Sequence, residues 1–234
     1  MNQPLLKLNT GILSMFCENA VHVLPQTNQL LSLHLQIRDK TTSQEDFIYY
    51  SDQVIRLLLE AGINLLPFRS QSVVTPIGET FEGLELATDV CAVSVIRAGE
   101  SMETELRSVF AGIPLGKILV QRDKETKLAT YSYSNLPEDI ASRHVLLLEP
   151  MLATGGSAIE ALNVLLEHGV KEENIIFINL LASPDGIKRI TEAYPKLRIV
   201  TSSIEKRMNE HAFMVPGIGD FGDRYFGTQD SGAR

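Results

Sequence analysis

The chain has two cysteines in 234 residues, Cys17 and Cys91, and no Cys-x-x-Cys pair. Neither a disulfide framework nor a thiolate zinc site is indicated. Cations are also in the minority, 21 Lys and Arg against 29 Asp and Glu, for a net charge of −8. That balance argues against non-specific binding to nucleic acid or an anionic membrane, while leaving room for a local cationic pocket. No apolar run approaches the length of a membrane span. The segment Ile12 to Phe16, after Lys7, is too short and mixed for a secretory apolar region. These absences lead to a soluble, cytoplasmic protein. The five histidines, His22, His34, His144, His168 and His211, lack metal-ligand spacing and read as structural or surface residues. No Ser-His-Asp or Cys-His arrangement has supporting motif context. Repeats, low-complexity segments and linkers are missing too, so one domain is the simplest reading. With 44% hydrophobic residues it can bury a sizeable core.

What is present centres on residues 144–158. Val145 to Leu148 is a four-residue apolar run, suited to a fully buried strand. Glu149 ends the run, and Pro150 cannot donate to a sheet ladder. Thr154-Gly155-Gly156-Ser157 is a small-residue turn before an amphipathic stretch, Ile159 to Leu166. A strand, a Gly turn and a helix aim free backbone N–H groups at an anion. Two readings of the turn stand: a phosphate cradle with a ribose-binding carboxylate beside it, or an ordinary strand-to-helix turn. A Walker A loop is excluded because no Lys follows Gly156, and the dinucleotide fingerprint is not matched here.

Other elements alternate around this stretch. Ser43 and Asp46 form a loose capping box opening a helix from about Gln44 to Ala61, with Phe47, Val54, Ile55, Leu58 and Leu59 at helical spacing. Gln71 to Leu86 reads as a projecting hairpin around Ile77-Gly78-Glu79. Strands are expected at Cys91–Ile96, Leu115–Gln121, Asn174–Leu181 and Leu197–Ile204, with a further one near Tyr131–Tyr133. Helices are expected at Ser101–Phe110 and Asp185–Tyr194. Such alternation implies a parallel sheet with helices on both faces. Residues 1–30, weakly periodic and rich in Asn and Gln, read as an N-terminal extension before a domain at 31–234.

Arg97 and Arg122 stand at the carboxyl ends of two expected strands, where open α/β sheets bind ligands. Arg is suited to bidentate phosphate contacts. Taken singly, Arg97 reads as a solvent-facing residue before a helix, and Arg122 to Lys127 as a charged surface loop, the functional reading of the latter being a mobile lid with an Arg at its hinge. Their convergence with Glu149 on one crevice is the stronger signal. The segment Met214 to Gly227 contains Gly217-x-Gly219-x-x-Gly222, but no strand–helix–strand unit can follow it. It reads either as a Gly-rich lip that holds a heterocyclic base through backbone groups, or as an ordered tail packed on the core.

The combination resembles the uracil phosphoribosyltransferase family. It is carried by Glu149 to Ser157, Arg97-Ala-Gly99, Gln121-Arg-Asp123, Asn209-Glu-His211 and Val215 to Thr228, from about Leu31 to Thr228. Arg97 to Met102 and Asp220-Phe221-Gly222 are similar to its eukaryotic-type branch. The resemblance implies a type I phosphoribosyltransferase fold with a hairpin arm and a C-terminal base-binding hood. It implies transfer of 5-phosphoribose from phosphoribosyl pyrophosphate to uracil, giving UMP and pyrophosphate. By the same resemblance, Arg97, Arg122, Glu149, Pro150, Met151, Leu152, Ala153, Thr154, Gly155, Gly156, Ser157 and Asp220 hold phosphoribosyl pyrophosphate. Met214, Gly219, Asp220 and Phe221 frame uracil, and Glu149, Arg97, Arg122 and Asp220 serve catalysis. Mg²⁺ arrives with the substrate rather than on protein ligands. A homodimer or homotetramer is expected, with GTP as a candidate activator. One departure is that the family has Asp where this chain has Glu149, a position at which some purine-using relatives carry Glu. The alternative class is a non-catalytic nucleotide- or phosphoribosyl pyrophosphate-binding regulator, as in degenerate relatives fused to uridine kinases.

Overall fold

The central sheet lies between two separate layers of buried side chains. A computed structural model describes residues 20–122 and 129–228, with the backbone alone described at Arg122. In chain order the elements are β1 (Val21–Val23), α1 (Asn28–Arg38), α2 (Gln44–Ile63), β2 (Phe68–Val74), β3 (Thr80–Leu86), β4 (Val90–Ile96), a 3₁₀ turn (Ala98–Met102) and α3 (Glu103–Val109). There follow β5 (Leu115–Arg122), β6 (Ala129–Asn135), β7 (His144–Leu148), β8 (Met151–Leu152), α4 (Gly156–Glu167), β9 (Ile175–Ala182) and α5 (Pro184–Ala193). The chain closes with β10 (Arg198–Ile204), β11 (Arg207–Met208), β12 (Met214–Val215) and α6 (Phe221–Phe226).

The sheet order is β1-β10-β9-β7-β4-β5-β6, with β8 also on β9. All its pairs are parallel except β5–β6. Successive side chains of a strand face opposite ways. Val145 and Leu147 therefore join the layer formed with α4 and α5, whereas Leu146 and Leu148 join the layer under α1, α2 and α3. Burial on both faces explains the unbroken apolar run at the sheet centre.

Ser43 caps α2 by accepting from the Asp46 N–H, as the sequence suggests. Within the stretch read as an extension, Val21 pairs with Ile199, and Thr27 caps α1. Residues 20–30 thus belong to the sheet and its helical cover. Residues 1–19, Cys17 among them, lie outside the described residues. Cys91 is buried, and burial pushes its thiol up to about 12, a structural rather than reactive cysteine. No described helix is long and apolar enough to cross a membrane.

His34 joins α1 to the sheet. Its Nε2 lies 3.0 Å from Ser202 Oγ, which itself donates to the Leu180 carbonyl. That commitment assigns Nε2 as the donor. Burial, aided by the Arg38 charge, lowers its pKa from 6.5 to about 3. The unfolded chain therefore takes up a proton that the folded chain refuses, and stability falls as pH drops from 6.5 towards 3, by up to about 1.4 kcal/mol per pH unit. Urea midpoints of the parent and of His34→Gln, compared between pH 7 and pH 5, should differ in slope by about one proton. Identical slopes would remove His34 as the source.

Candidate active site

Three neighbouring strands, β7, β4 and β5, bring their carboxyl ends to one crevice, since Ser94 pairs with Leu148 and Ile96 with Leu119. Glu149 follows directly at the end of β7, its N–H donating to the Ile178 carbonyl. Pro150 is buried, and its carbonyl accepts from both Leu180 and Leu181 N–H groups. Met151 and Leu152 then pair with β9, and the Leu152 side chain is in the core. These three residues set the path of the loop through their backbone. The loop leads to Ala153, Thr154, Gly155 and Gly156.

Gly155 adopts φ +78°, the left-handed region, and α4 has no side-chain cap hydrogen bond at that position among the described residues. The N-terminus of this twelve-residue helix, with its positive dipole end, stands at the crevice. Thr154 is exposed, and Ser157 is buried one residue inside the helix. A Cβ placed on Gly156 would come 3.6 Å from the Ala129 Cβ, so the first residue of β6 stands beside the turn. Behind it, Gly186 of α5 passes so close to the Ala153 carbonyl that an added Cβ would sit 2.4 Å from it. Arg189 donates to the Thr154 carbonyl at 3.2 Å.

Across the crevice the Ile96–Arg97 peptide is cis, and the following 3₁₀ turn is pressed onto the end of β7. A Cβ on Gly99 would fall 2.3 Å from the Leu148 carbonyl oxygen, a backbone-to-backbone fit that accepts only Gly. Lys117 braces this turn through Glu100 at 2.6 Å and Glu103 at 3.4 Å. Arg97 reaches the C-terminal segment, donating to Asp223 Oδ1 at 2.8 Å and Thr228 Oγ1 at 2.7 Å. The Arg97 and Thr228 hydrogen bonds hold the Asp223 carboxyl below the usual range. A Cβ on Gly222 would lie 3.0 Å from Arg97 Nη2 and 3.4 Å from Asp220 Oδ1, so the two groups meet over that glycine. Arg122 ends β5 as expected, but its side chain and residues 123–128 lie outside the described residues, and with them the stretch read as a charged surface loop or a lid.

The C-terminal stretch is more regular than a Gly-rich loop. Asp220 caps α6 by accepting from Asp223 N–H at 2.9 Å, and Gly227 closes it at φ +67°. The Asp220-x-x-Asp223 spacing is a variant of the capping box and is the signal that could have revealed this helix. The reading as an ordered tail packed on the core holds for part of this segment. Gly219 and Asp220 are exposed at the rim, whereas the Phe221 ring is buried, 5.5 Å from both Phe47 and Tyr225. Met214 is buried in β12, paired with Met208. Tyr225 donates to Asp52 at 2.7 Å; burial, then that bond, pushes its phenol pKa up. Residues that sequence reasoning missed are Arg38, Arg189, Glu205 and Thr228. Apart from Thr228, near Asp223, none stands in a local pattern that marks it.

Comparison with known proteins follows this geometry. A family model described as uracil phosphoribosyltransferase matches residues 23–228. A uracil phosphoribosyltransferase of Dictyostelium discoideum is 54% identical over 213 residues, covering 91% of this chain and 98% of its own. The Saccharomyces cerevisiae uracil phosphoribosyltransferase is 53% identical, covering 88% and 95%. Among solved structures, the AQ2163 protein from Aquifex aeolicus superposes with a TM-score of 0.78 at 27% identity, over 88% of this chain and 97% of that one.

Proposed function

The chain belongs to the uracil phosphoribosyltransferase family, and on that premise we propose that its crevice joins uracil to the 5-phosphoribosyl group of phosphoribosyl pyrophosphate. The products are UMP and pyrophosphate. The observation that carries this reading is the α4 N-terminus, entered through a left-handed Gly155, at the same sheet end as Glu149 and Arg97. A 5-phosphate would accept from the N–H groups of Ala153 to Ser157. Glu149 would accept from the ribose hydroxyls, and Arg97 and Arg122 would hold pyrophosphate. Uracil would lie against Met214 and the backbone of Gly219, Asp220 and Phe221, and the exposed peptide groups of Gly219 and Asp220 suit a small heterocycle.

As the bond to pyrophosphate lengthens, the ribose ring gains positive charge and the leaving group negative charge. No covalent intermediate on the protein is needed. Glu149 faces the first charge and the two arginines the second, already oriented before the reaction begins. Mg²⁺ would enter with the pyrophosphate and neutralise part of its charge. Asp220 suits such a hydrated ion: it is a hard oxygen donor at the rim, and its Oδ2 makes no hydrogen bond among the described residues. Incubation of the protein with uracil and phosphoribosyl pyrophosphate, with and without Mg²⁺, should yield UMP only when the metal is present. No UMP under either condition would overturn the reading, and a parallel arm with GTP tests activation. The cytoplasm is the compartment this reading assigns.

The reading extends to a second copy of the chain. β2 and β3 form their own two-stranded sheet, with Val74 74%, Ile77 86% and Leu84 70% exposed. A lone hairpin is marginally stable in water and an apolar surface of this kind marks an interface. Sedimentation at micromolar concentration should give at least a dimer, and Ile77→Lys with Leu84→Lys should shift it towards monomer. A monomeric parent would refute the arm's role.

A further inference from the structure

The loop that would read uracil is held from beneath by a buried ion pair. Glu205 follows β10 and is 1% exposed. Its N–H donates to the Ala182 carbonyl at the end of β9, which fixes the carboxylate relative to the sheet. Arg38, at the end of α1, meets Glu205 Oε1 at 2.6 Å. The pair then closes on one residue. Glu205 Oε2 accepts from the Gly217 N–H at 2.9 Å, and Arg38 Nη1 donates to the Gly217 carbonyl at 3.1 Å. Both polar groups of the Gly217 backbone are thereby committed. Gly217 has φ +69°, and an added Cβ would lie 2.2 Å from the Met214 carbonyl. Only glycine lets the chain turn back tightly enough to offer both groups to the pair.

A second arginine works on the next residue. Arg224 donates to the Ile218 carbonyl at 2.9 Å, to Ile37 at 2.6 Å and to Asp39 at 2.8 Å, with its guanidinium 4.1 Å from the Phe47 ring centre. The carbonyl end of α1 thus receives a cation, as its dipole favours. Gly219 and Asp220 are what remains between these anchors and the buried Phe221 ring. Two backbone-reading residues are therefore suspended between fixed points, while a buried ion pair is in itself weak evidence for stability.

We propose that Arg38 and Glu205 are positioning residues for uracil: they set the backbone of the 217–221 loop without touching the base. This rests on the reading of that loop as the base site. Three variants separate positioning from general stability. Arg38→Lys keeps the charge and loses the fork that spans Gly217 and Glu205. Glu205→Gln keeps an oxygen able to accept from Gly217. Arg38→Met combined with Glu205→Leu removes both charges together, so no unpaired ion is left buried. The KM for uracil, the KM for phosphoribosyl pyrophosphate and the melting temperature are measured for each. The Lys variant and the double variant should raise the uracil KM at least about tenfold, the equivalent of about 1.4 kcal/mol, with the other KM near parental. Glu205→Gln should lie closer to the parent. A folded double variant with parental uracil KM would overturn the inference, as would an equal rise of both KM values in step with the loss of melting temperature. Failure of the parent protein to form UMP would instead overturn the proposed function.

Discussion

Glu149→Gln should lower turnover by about 10²- to 10³-fold, the scale of losing one preorganised electrostatic contact to a transition state. The substitution keeps the shape, removes the charge and turns one acceptor oxygen into an amide donor. The backbone of residue 149 is fixed independently of its side chain by the N–H bond to Ile178 and by the buried Pro150 that follows. The melting temperature should therefore hold. Glu149→Asp restores the acid usual in the family and should be as active as the parent or more so. Pro150 occupies the next position, so on the proposed reading one carboxylate would serve both ribose hydroxyls, by charge-assisted bonds. Steady-state kinetics of the two variants decide the matter. A Gln variant at the parental rate removes Glu149 from catalysis. A folded but inactive Asp variant would mean that the crevice is built around the longer side chain.

Arg97→Ala should reduce kcat/KM for phosphoribosyl pyrophosphate by about 10²-fold or more, the cost of deleting one partner of a close charged contact. The KM for uracil should stay near its parental value. Stability should barely change. The Arg97–Asp223 pair is 45% and 37% exposed on its two sides, and exposed pairs contribute about 0–1 kcal/mol. In the structure the guanidinium is shared between Asp223 and Thr228, so a pyrophosphate would compete with or join these partners. Arg122→Ala should act in the same direction. Unchanged kinetics for phosphoribosyl pyrophosphate in both variants would sink the assignment.

Local signals carried much of the architecture. The run Val145 to Leu148 was legible as a buried strand because residues inside a two-sided sheet need no alternation. The strand-to-helix turn at Gly155 and the Ser43 cap were legible because turn and cap chemistry is confined to a few residues. The hairpin was legible from its turn, although β2 begins earlier, at Phe68. By contrast β1 is three residues long and owes its place to β10. The antiparallel β6 and the six-residue α6 are likewise set by tertiary neighbours more than by periodicity. The Arg38–Glu205 pair spans 167 positions, and no pattern along the chain announces such a meeting.

The same distances have a consequence for how the protein comes to exist. Arg38 meets Gly217 across 179 positions, and Arg224 meets the Ile37 carbonyl across 187. Contacts of such range form late, because closing a long loop costs entropy before any contact repays it. At a synthesis rate of about 5–20 residues per second, α1 waits about 10–30 s after leaving the ribosome for its partners to be made. During that time the apolar face formed by Leu30, Leu33 and Ile37 has α2 to pack on but not β10 or α6. The 153–157 turn, built from β7, α4 and their neighbours, can form first. A nascent chain would thus hold the proposed cradle for phosphate before it had the proposed place for the base.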